Sequence, residues 1–379
     1  MIEFRIDLAD STTARVLGWQ GGIPGVELTL TPEDATQGSA RMFRGSVQGR
    51  VSVGDLPAGR YLADAARWLA AAELARLPAS DGALGFVGRT VLDPATSSPT
   101  VFRLAASRKR SLVISEWSFN DKGVLGIGSY PFGGYLELFN NGDTTVFLDG
   151  LYVAEGWWAS VDAPPAAPCS ASEPYRHDSL GIWSRAFQRF PGTGRDHPLA
   201  PGAVAVIATD AIDHRPLFPG AIDLRLADFE FAGHTDADNP AVPNMVEESL
   251  VPYPSGHGLH YFFTTNVPFL SVGVDLRSLT KARVGSYEWA RFPAEAIVDV
   301  VAIGKSRATT GFPECDRLVA ERFDRAANHE RLGDEEIEYQ FSLSRRIVPT
   351  GTARPYLQHT RNSSADLERT PRSPGRLRN

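Results

Sequence analysis

Only two cysteines occur in the 379 residues, Cys169 and Cys315. Their separation matches no zinc or redox spacing, which leaves either one disulfide of an oxidising compartment or two unrelated thiols. No apolar run approaches the roughly 20 residues that carry a helix across a bilayer, so no transmembrane segment is expected. The opening "MIEFRIDLAD" has acids where a secretory leader carries basic residues and then an apolar stretch. A basic excess is also missing: 38 Lys and Arg stand against 45 Asp and Glu, a net charge of −7. That balance sets nucleic acid aside as a partner.

Catalytic signatures are scarce as well. There is no Gly-x-Ser-x-Gly, and no pair of histidines with an adjacent acid on a helical pattern. "AIGKS" at Ala302–Ser306 carries the end of a phosphate loop, but Asp299 stands where its first glycine belongs. "GVLGIGSYPFGG" at Gly123–Gly134 lacks both the spacing and the following helix of a dinucleotide fold, and reads as a loop joining two strands. No cofactor is assigned.

What is abundant is turn chemistry. Thirty-five glycines and 27 prolines punctuate the chain, and short β-branched and aromatic runs lie between them, which is an all-β pattern. "GVELTLTPED" places Val26, Leu28 and Leu30 on one face of a strand, and "VQGRVSVGDLPAGRYLADA" runs strand, Leu56–Gly59 turn, strand. "WLAAAELARLPAS" has the spacing of a short helix stopped by Pro78. A linker over "ATSSPT" and "SRKR" puts a boundary near residue 110. Beyond it, "YLELFNNGDTTVFLDGLYV", Tyr135–Val153, reads as two strands around the hairpin chemistry of Asn140-Asn141-Gly142-Asp143. Residues 161–201 read as a polar surface insertion and "DRLVAERFDRAANHERLGDEE" as a helical piece. The basic stretch 366–379 reads as a disordered tail.

Four groups are the candidate sites. Asp236, Asp238 and Asn239 in "GHTDADNP" could offer oxygens to a hard cation, although such residues before a proline equally build turns. His257 and His260 in "HGLH" fall in a loop pattern rather than on a helix face. Trp157, Trp158 and Trp183, with Phe187, could hold a glycan or a peptide, or could simply cap the sandwich. Glu116 and Glu137 fall in neighbouring strands; alternation assigns them to solvent or to ion pairs, with acid–base chemistry as the alternative.

"LVISEW", "YLELFNNGDTTVFLDGLYV" and the late "RNSSADLERTPRSPG", in that order, resemble the signature of lamin-tail domains, which are immunoglobulin-like β-sandwiches. "LADFEFAGHTDADNPAVPNM", "FPAEAIVDVVAI" and "SLSRRIVP" resemble the bacterial envelope family called domain of unknown function 4876. "GGIPGVELTL" and "VGDLPAGRYLADA" resemble the carboxypeptidase-regulatory-like, transthyretin-type module that precedes the lamin-tail-like domain in that family. The resemblance implies two β-sandwich modules, at residues 1–110 and 111–365. It also implies a non-catalytic binding or scaffolding role in the cell envelope, with an envelope protein as partner and an outer-membrane transport or receptor assembly as its setting. A metal-dependent hydrolase and a glycan- or peptide-binding module are the alternatives. The location expected is extracytoplasmic, which requires a leader upstream of Met1.

Overall fold

The computed structural model describes residues 2–9, 11–19, 21–54, 56–77, 83–93, 101–118, 123–124, 128–129, 132–156, 175, 177–217, 220–233, 238–250, 267–284, 287–304, 318–328, 341–348 and 354–377. It is nearly all β and sandwich-type. The chain forms two compact units: Met1–Lys109 with Val348–Thr360, and Arg110–Ile347 with Arg361–Asn379.

The first unit is built on β1 (Ile2–Leu8), β2 (Glu27–Pro32), β3 (Arg41–Arg44), β4 (Arg50–Val53), β5 (Tyr61–Trp68), β6 (Ala83–Leu92) and β7 (Val101–Arg108). They form one sheet in the order β3-β2-β5-β6-β7-β1-β4. Both halves of that order send alternate side chains into one core, Leu28, Leu30, Ala63 and Phe86 from one and Phe4, Ile6, Val51 and Leu104 from the other, so the sheet curls around it. The alternation Val26, Leu28, Leu30 is fully buried. The turn before β5 holds Gly59 at φ 146°, and the Tyr61 hydroxyl donates to Pro57 O at 2.9 Å. Two helices are short, α1 (Ser11–Leu17) and α2 (Ala71–Leu74). β7 takes up Ser107 and Arg108, which had read as linker. Residues 348–360 complete the unit. His359 N–H donates to Ser107 Oγ (3.2 Å), Arg108 N–H donates to His359 O (2.9 Å), and Leu357 is buried.

The second unit pairs two larger sheets. Its six-stranded sheet holds β8 (Val113–Ser118), β11 (Tyr135–Phe139), β17 (Val204–Ala208), β18 (Phe229–Glu230), β24 (Phe341–Arg345) and β27 (Leu367–Pro371), in the order β18-β17-β11-β8-β24-β27. The five-stranded sheet holds β13 (Tyr152–Glu155), β15 (Ala186–Arg189), β19 (Val246–Glu247), β20 (Pro268–Ser271) and β23 (Ile297–Val300). Between them lie Ile114, Trp117, Leu136, Leu138, Ile207 and Leu343 from the first sheet and Val153, Ala186 and Leu270 from the second. Smaller ladders are β9 (Gly123–Val124) with β10 (Gly128–Ser129) and β12 (Val146–Phe147) with β16 (Pro198–Leu199); the ladder of β25 (Ile347–Val348) with β26 (Tyr356–Leu357) belongs with residues 348–360 of the first unit. The last sheet joins β14 (Gly181–Ser184), β21 (Thr280–Val284) and β22 (Tyr287–Pro293).

Four expectations are corrected here. Tyr135–Val153 is not a hairpin: β11 pairs with β8 and β17 while β13 joins the other sheet, so the stretch turns a corner between layers. Asn140, fully buried, holds that corner by donating to Thr144 O and Leu199 O, both at 2.8 Å. Within the expected insertion at 161–201, residues 181–190 are core, while most of residues 191–200 lie at the surface. Phe187 and Phe190 are fully buried, and Phe187 meets Phe292 edge-on at 5.1 Å and Tyr152 at 5.9 Å. These aromatic contacts fill the outer face of the five-stranded sheet under β14 and β22, and each buried ring contributes about 1.5–3 kcal/mol. Residues 318–328 of the expected helical piece form turns, with Leu318, Val319 and Phe323 packed in that same layer. The expected disordered tail, 366–379, follows from α3 (Ser363–Asp366), runs as β27 along β24 and stays placed to residue 377.

A buried ion network ties the two sheets. Arg345 on β24 reaches Asp299 on β23 at 2.9 Å and Asp366 at 3.5 Å, and donates through Nε to Ile114 O at 2.9 Å. Asp299 also accepts from Ile114 N–H at 2.7 Å. Removing one partner of a buried network strands the others, at a cost of about 3–5 kcal/mol. Arg345→Met is therefore expected to lower the stability read by urea unfolding by that amount. Arg277→Met, which breaks the exposed pair with Asp275, should stay within about 0.5 kcal/mol of the parent.

Candidate functional site

The outer face of the six-stranded sheet is where the titratable groups converge. On β11 the core takes Leu136 and Leu138, so Tyr135, Glu137 and Phe139 must face outward. On β8 the register shifts: Glu137 pairs with Glu116 but Leu138 pairs with Ile114, leaving Ser115 as an extra residue. Such a bulge re-aims side chains, and here Ser115 Oγ and the Glu116 carboxylate come to one side. Ser115 Oγ donates to Glu137 Oε1 at 2.7 Å.

Neither glutamate is solvated, which corrects the reading from alternation: Glu116 is 3% and Glu137 1% exposed. The cover comes from the far end of the chain. Ser373 N–H and Oγ donate to the two oxygens of Glu116 at 3.0 and 3.1 Å, and Gly375 N–H donates to Glu137 Oε2 at 2.8 Å. Arg372 donates to Gly133 O and lies over the Tyr135 ring, 5.4 Å from its centre. Glu116 also accepts from the hydroxyls of Tyr135 and Ser342. Beyond Ser342 the hydroxyls continue, Ser344 with Thr370 at 2.6 Å, across β24 and β27. The other half of this face is apolar, with Val206, Ala208, Ala211, Leu224 and Val242 packed beside Tyr135.

Two carboxylates opposed in one ladder and shut away from water cannot both carry charge at neutral pH. Burial first, and then the Glu116 charge, push the Glu137 carboxyl up to about 8, against the bonds from Ser115 and Gly375 that pull it down. Burial and the same charge raise the Tyr135 hydroxyl well above its ordinary value, so it remains a donor. Asp228, which accepts from Val206 N–H at 2.8 Å, is raised by burial. Elsewhere in the unit, burial takes Asp324 up to about 8 although Ser363 donates to it twice. Glu155 is raised by burial against the opposing pull of Arg185, and its Oε1 is among the buried oxygens with no hydrogen-bond donor.

Among the described residues the other candidates are not brought together. Trp157, Trp158, Asp236, His257, His260, Cys169 and Cys315 lie outside the described residues, as do Lys305 and Ser306 of "AIGKS". Trp183 is packed into β14: its Nε1 donates to Asp178 at 2.9 Å, Tyr175 meets it edge-on at 4.8 Å, and Arg291 lies over it at 5.7 Å. Asp238 is exposed. Asn239 is a turn residue, its Oδ1 accepting from Ala241 N–H (3.1 Å) and its Nδ2 donating to Ala211 O (2.8 Å). Among the described residues no group of three or more His, Cys, Asp or Glu is placed to hold a metal. Between β8 and β11 the glycine-rich stretch forms the small β9–β10 ladder. The residues missed from sequence are Ser342, Ser373 and Gly375. Their signals were alternate serines in "SLSR" and a Ser-Pro-Gly turn in a segment that composition marked as disordered.

This geometry defines an all-β protein whose principal cluster of perturbed carboxyls is closed by its own C-terminal strap. Residues 200–373 match the family model described as protein of unknown function (DUF4876). A crystal structure of a DUF4876 family protein from Bacteroides thetaiotaomicron shares the fold: TM-score 0.57, 15% identity, 97% of this chain and 94% of that one. No curated protein matches the chain.

The proton on Glu137 sets a pH dependence. Its folded value, about 8, lies above the ordinary 4.5, so the folded state holds a proton that the unfolded chain releases. That stability is full below about pH 4.5, is lost as pH rises toward 8, and is level above it. At about 1.4 kcal/mol per pH unit the whole loss is on the order of 5 kcal/mol, about 4 of it between pH 5 and 8. Urea unfolding from pH 5 to 8 should show this decline, and Glu137→Gln should make it shallower. The remaining decline belongs to Asp324, Glu155 and Asp228, which shift in the same direction.

Proposed function

We propose that the protein is a non-catalytic binding or scaffolding protein of the cell envelope. The observation that carries this reading is the occupancy of its carboxylate pair. A general acid or base must present an oxygen to substrate. Here Glu116 is engaged by Tyr135, Ser342 and Ser373, and Glu137 by Ser115 and Gly375. The pair holds the chain's own C-terminus and works as a fastening.

In this reading the second unit is a lamin-tail-like, immunoglobulin-type sandwich and the first a carboxypeptidase-regulatory-like, transthyretin-type module. Both assignments rest on the motifs quoted above. The location is extracytoplasmic, and the partner is an envelope protein, with an outer-membrane transport or receptor assembly as the setting; these rest on the family resemblance, which is an analogy. Crosslinking in the native cells followed by purification of the full chain tests it. The expected result is recovery from the envelope fraction with a defined envelope protein attached. Recovery from the cytosol without any envelope partner would contradict it.

A further inference from the structure

The C-terminal strap has the build of a part that docks and undocks as a unit. β27 follows β24 as far as the pair Pro371–Phe341, and there the ladder ends. The next residues, Ser373-Pro374-Gly375-Arg376, close on themselves: Arg376 N–H donates to Ser373 O at 3.1 Å, and Gly375 has φ 77°. Proline at the second position and a positive-φ glycine at the third is the arrangement of a type II turn, which forms from local geometry alone. This turn gives the carboxylate pair three donors, Ser373 N–H, Ser373 Oγ–H and Gly375 N–H. Outside the pair, the contacts that hold it include Arg372 to Gly133 O and over Tyr135, and Ser373 N–H to the Tyr135 hydroxyl at 3.1 Å.

We propose that this strap is a proton-operated latch, closed over Glu116 and Glu137 while the pair holds one proton and lifted when that proton leaves.

Residues opposed in an antiparallel ladder have Cβ atoms about 4.5–5.5 Å apart, and like charges at that spacing repel. In the closed form both glutamates are shut away from water. Every element packed on the pair contributes to the balance: Glu116 from β8, Tyr135 from β11, Asp228 from the segment before β18, and Arg372 from the strap itself. β24 and β27 bring the hydroxyls of Ser342, Ser344 and Thr370, and β27 also carries Glu368, opposite Ser344 and paired with Arg346 at 3.5 Å. Of the groups acting on Tyr135 and Glu137, Arg372, which lies over the Tyr135 ring, is the cation. A second carboxylate charge then has no cation of its own, and uncompensated buried charge is among the costliest states a protein can hold. Lifting a short self-formed turn admits water to both carboxylates and leaves the β24–β27 ladder intact. The raised value of Glu137 puts the transition near pH 8. The lifted form bares an acidic face with Tyr135 upon it.

Amide hydrogen exchange on the full chain, corrected for the intrinsic rate at each pH, tests the latch. Between pH 7 and 9 the protection of the Ser373 and Gly375 amides should fall by about tenfold, since one unit above its midpoint about a tenth of the molecules keep the proton. Amides of β27 should keep theirs. In Glu137→Gln, whose side chain cannot ionise, strap protection should be equal at both pH values. A second measurement needs no variant: trypsin cleavage after Arg372 in the parent chain, normalised to a free peptide of residues 368–379, should rise over the same range. The proposal is overturned by strap protection and cleavage that do not change with pH, by an equal fall in Glu137→Gln, or by β27 amides that lose protection together with the strap.

Discussion

Two carboxyl groups, opposed across one pair of strands and hidden from water, set the terms for this unit. Glu116 and Glu137 could have been left on a solvated sheet face at no cost. Residues 373–375 instead cover them, and the cover is polar where the carboxylates lie. Glu116 accepts from a phenol, two serine hydroxyls and a backbone N–H, and Glu137 from a serine hydroxyl and a backbone N–H. That many donors let one charge persist out of water. They do not let two persist, and so a proton belongs to the structure as much as any side chain does.

The same C-terminal stretch fastens the sandwich at two depths. Asp366 joins Arg345 and Asp299 between the sheets, while Ser363 supplies both its N–H and its hydroxyl to buried Asp324. A few residues later, β27 closes the edge of the six-stranded sheet and the strap closes its outer face. Residues 361–377 thus act as a clasp, with ionic contacts inside the sandwich and hydrogen-bonded ones outside it. This placement is the physical reason for reading the carboxylate pair as part of an assembly device and not as a reaction centre.

Much of the strand content was legible in the sequence, because alternation is a local signal. Val26, Leu28 and Leu30 needed only their own spacing. What failed was whatever depended on distant partners. The exposure of Glu137 was misread because its cover lies 238 residues away. Asn140-Asn141-Gly142-Asp143 has hairpin chemistry, yet Asn140 is tied to Leu199 and the chain turns into the other sheet. "RTPRSPG" looked too basic and proline-rich to order, but one proline ends a strand and the next starts a turn. The polar excursion around residue 181 held two core strands because their cover, Phe292, comes from over 100 residues further on.

The central claim is that one proton resides on this buried pair at neutral pH, and it is tested most directly by following the Glu137 side-chain carboxyl carbon by NMR as the full chain is titrated, with the resonance assigned by its absence in Glu137→Gln. The account predicts a midpoint near pH 8. A midpoint at or below the ordinary 4.5, with both glutamates ionised throughout the neutral range, would contradict it.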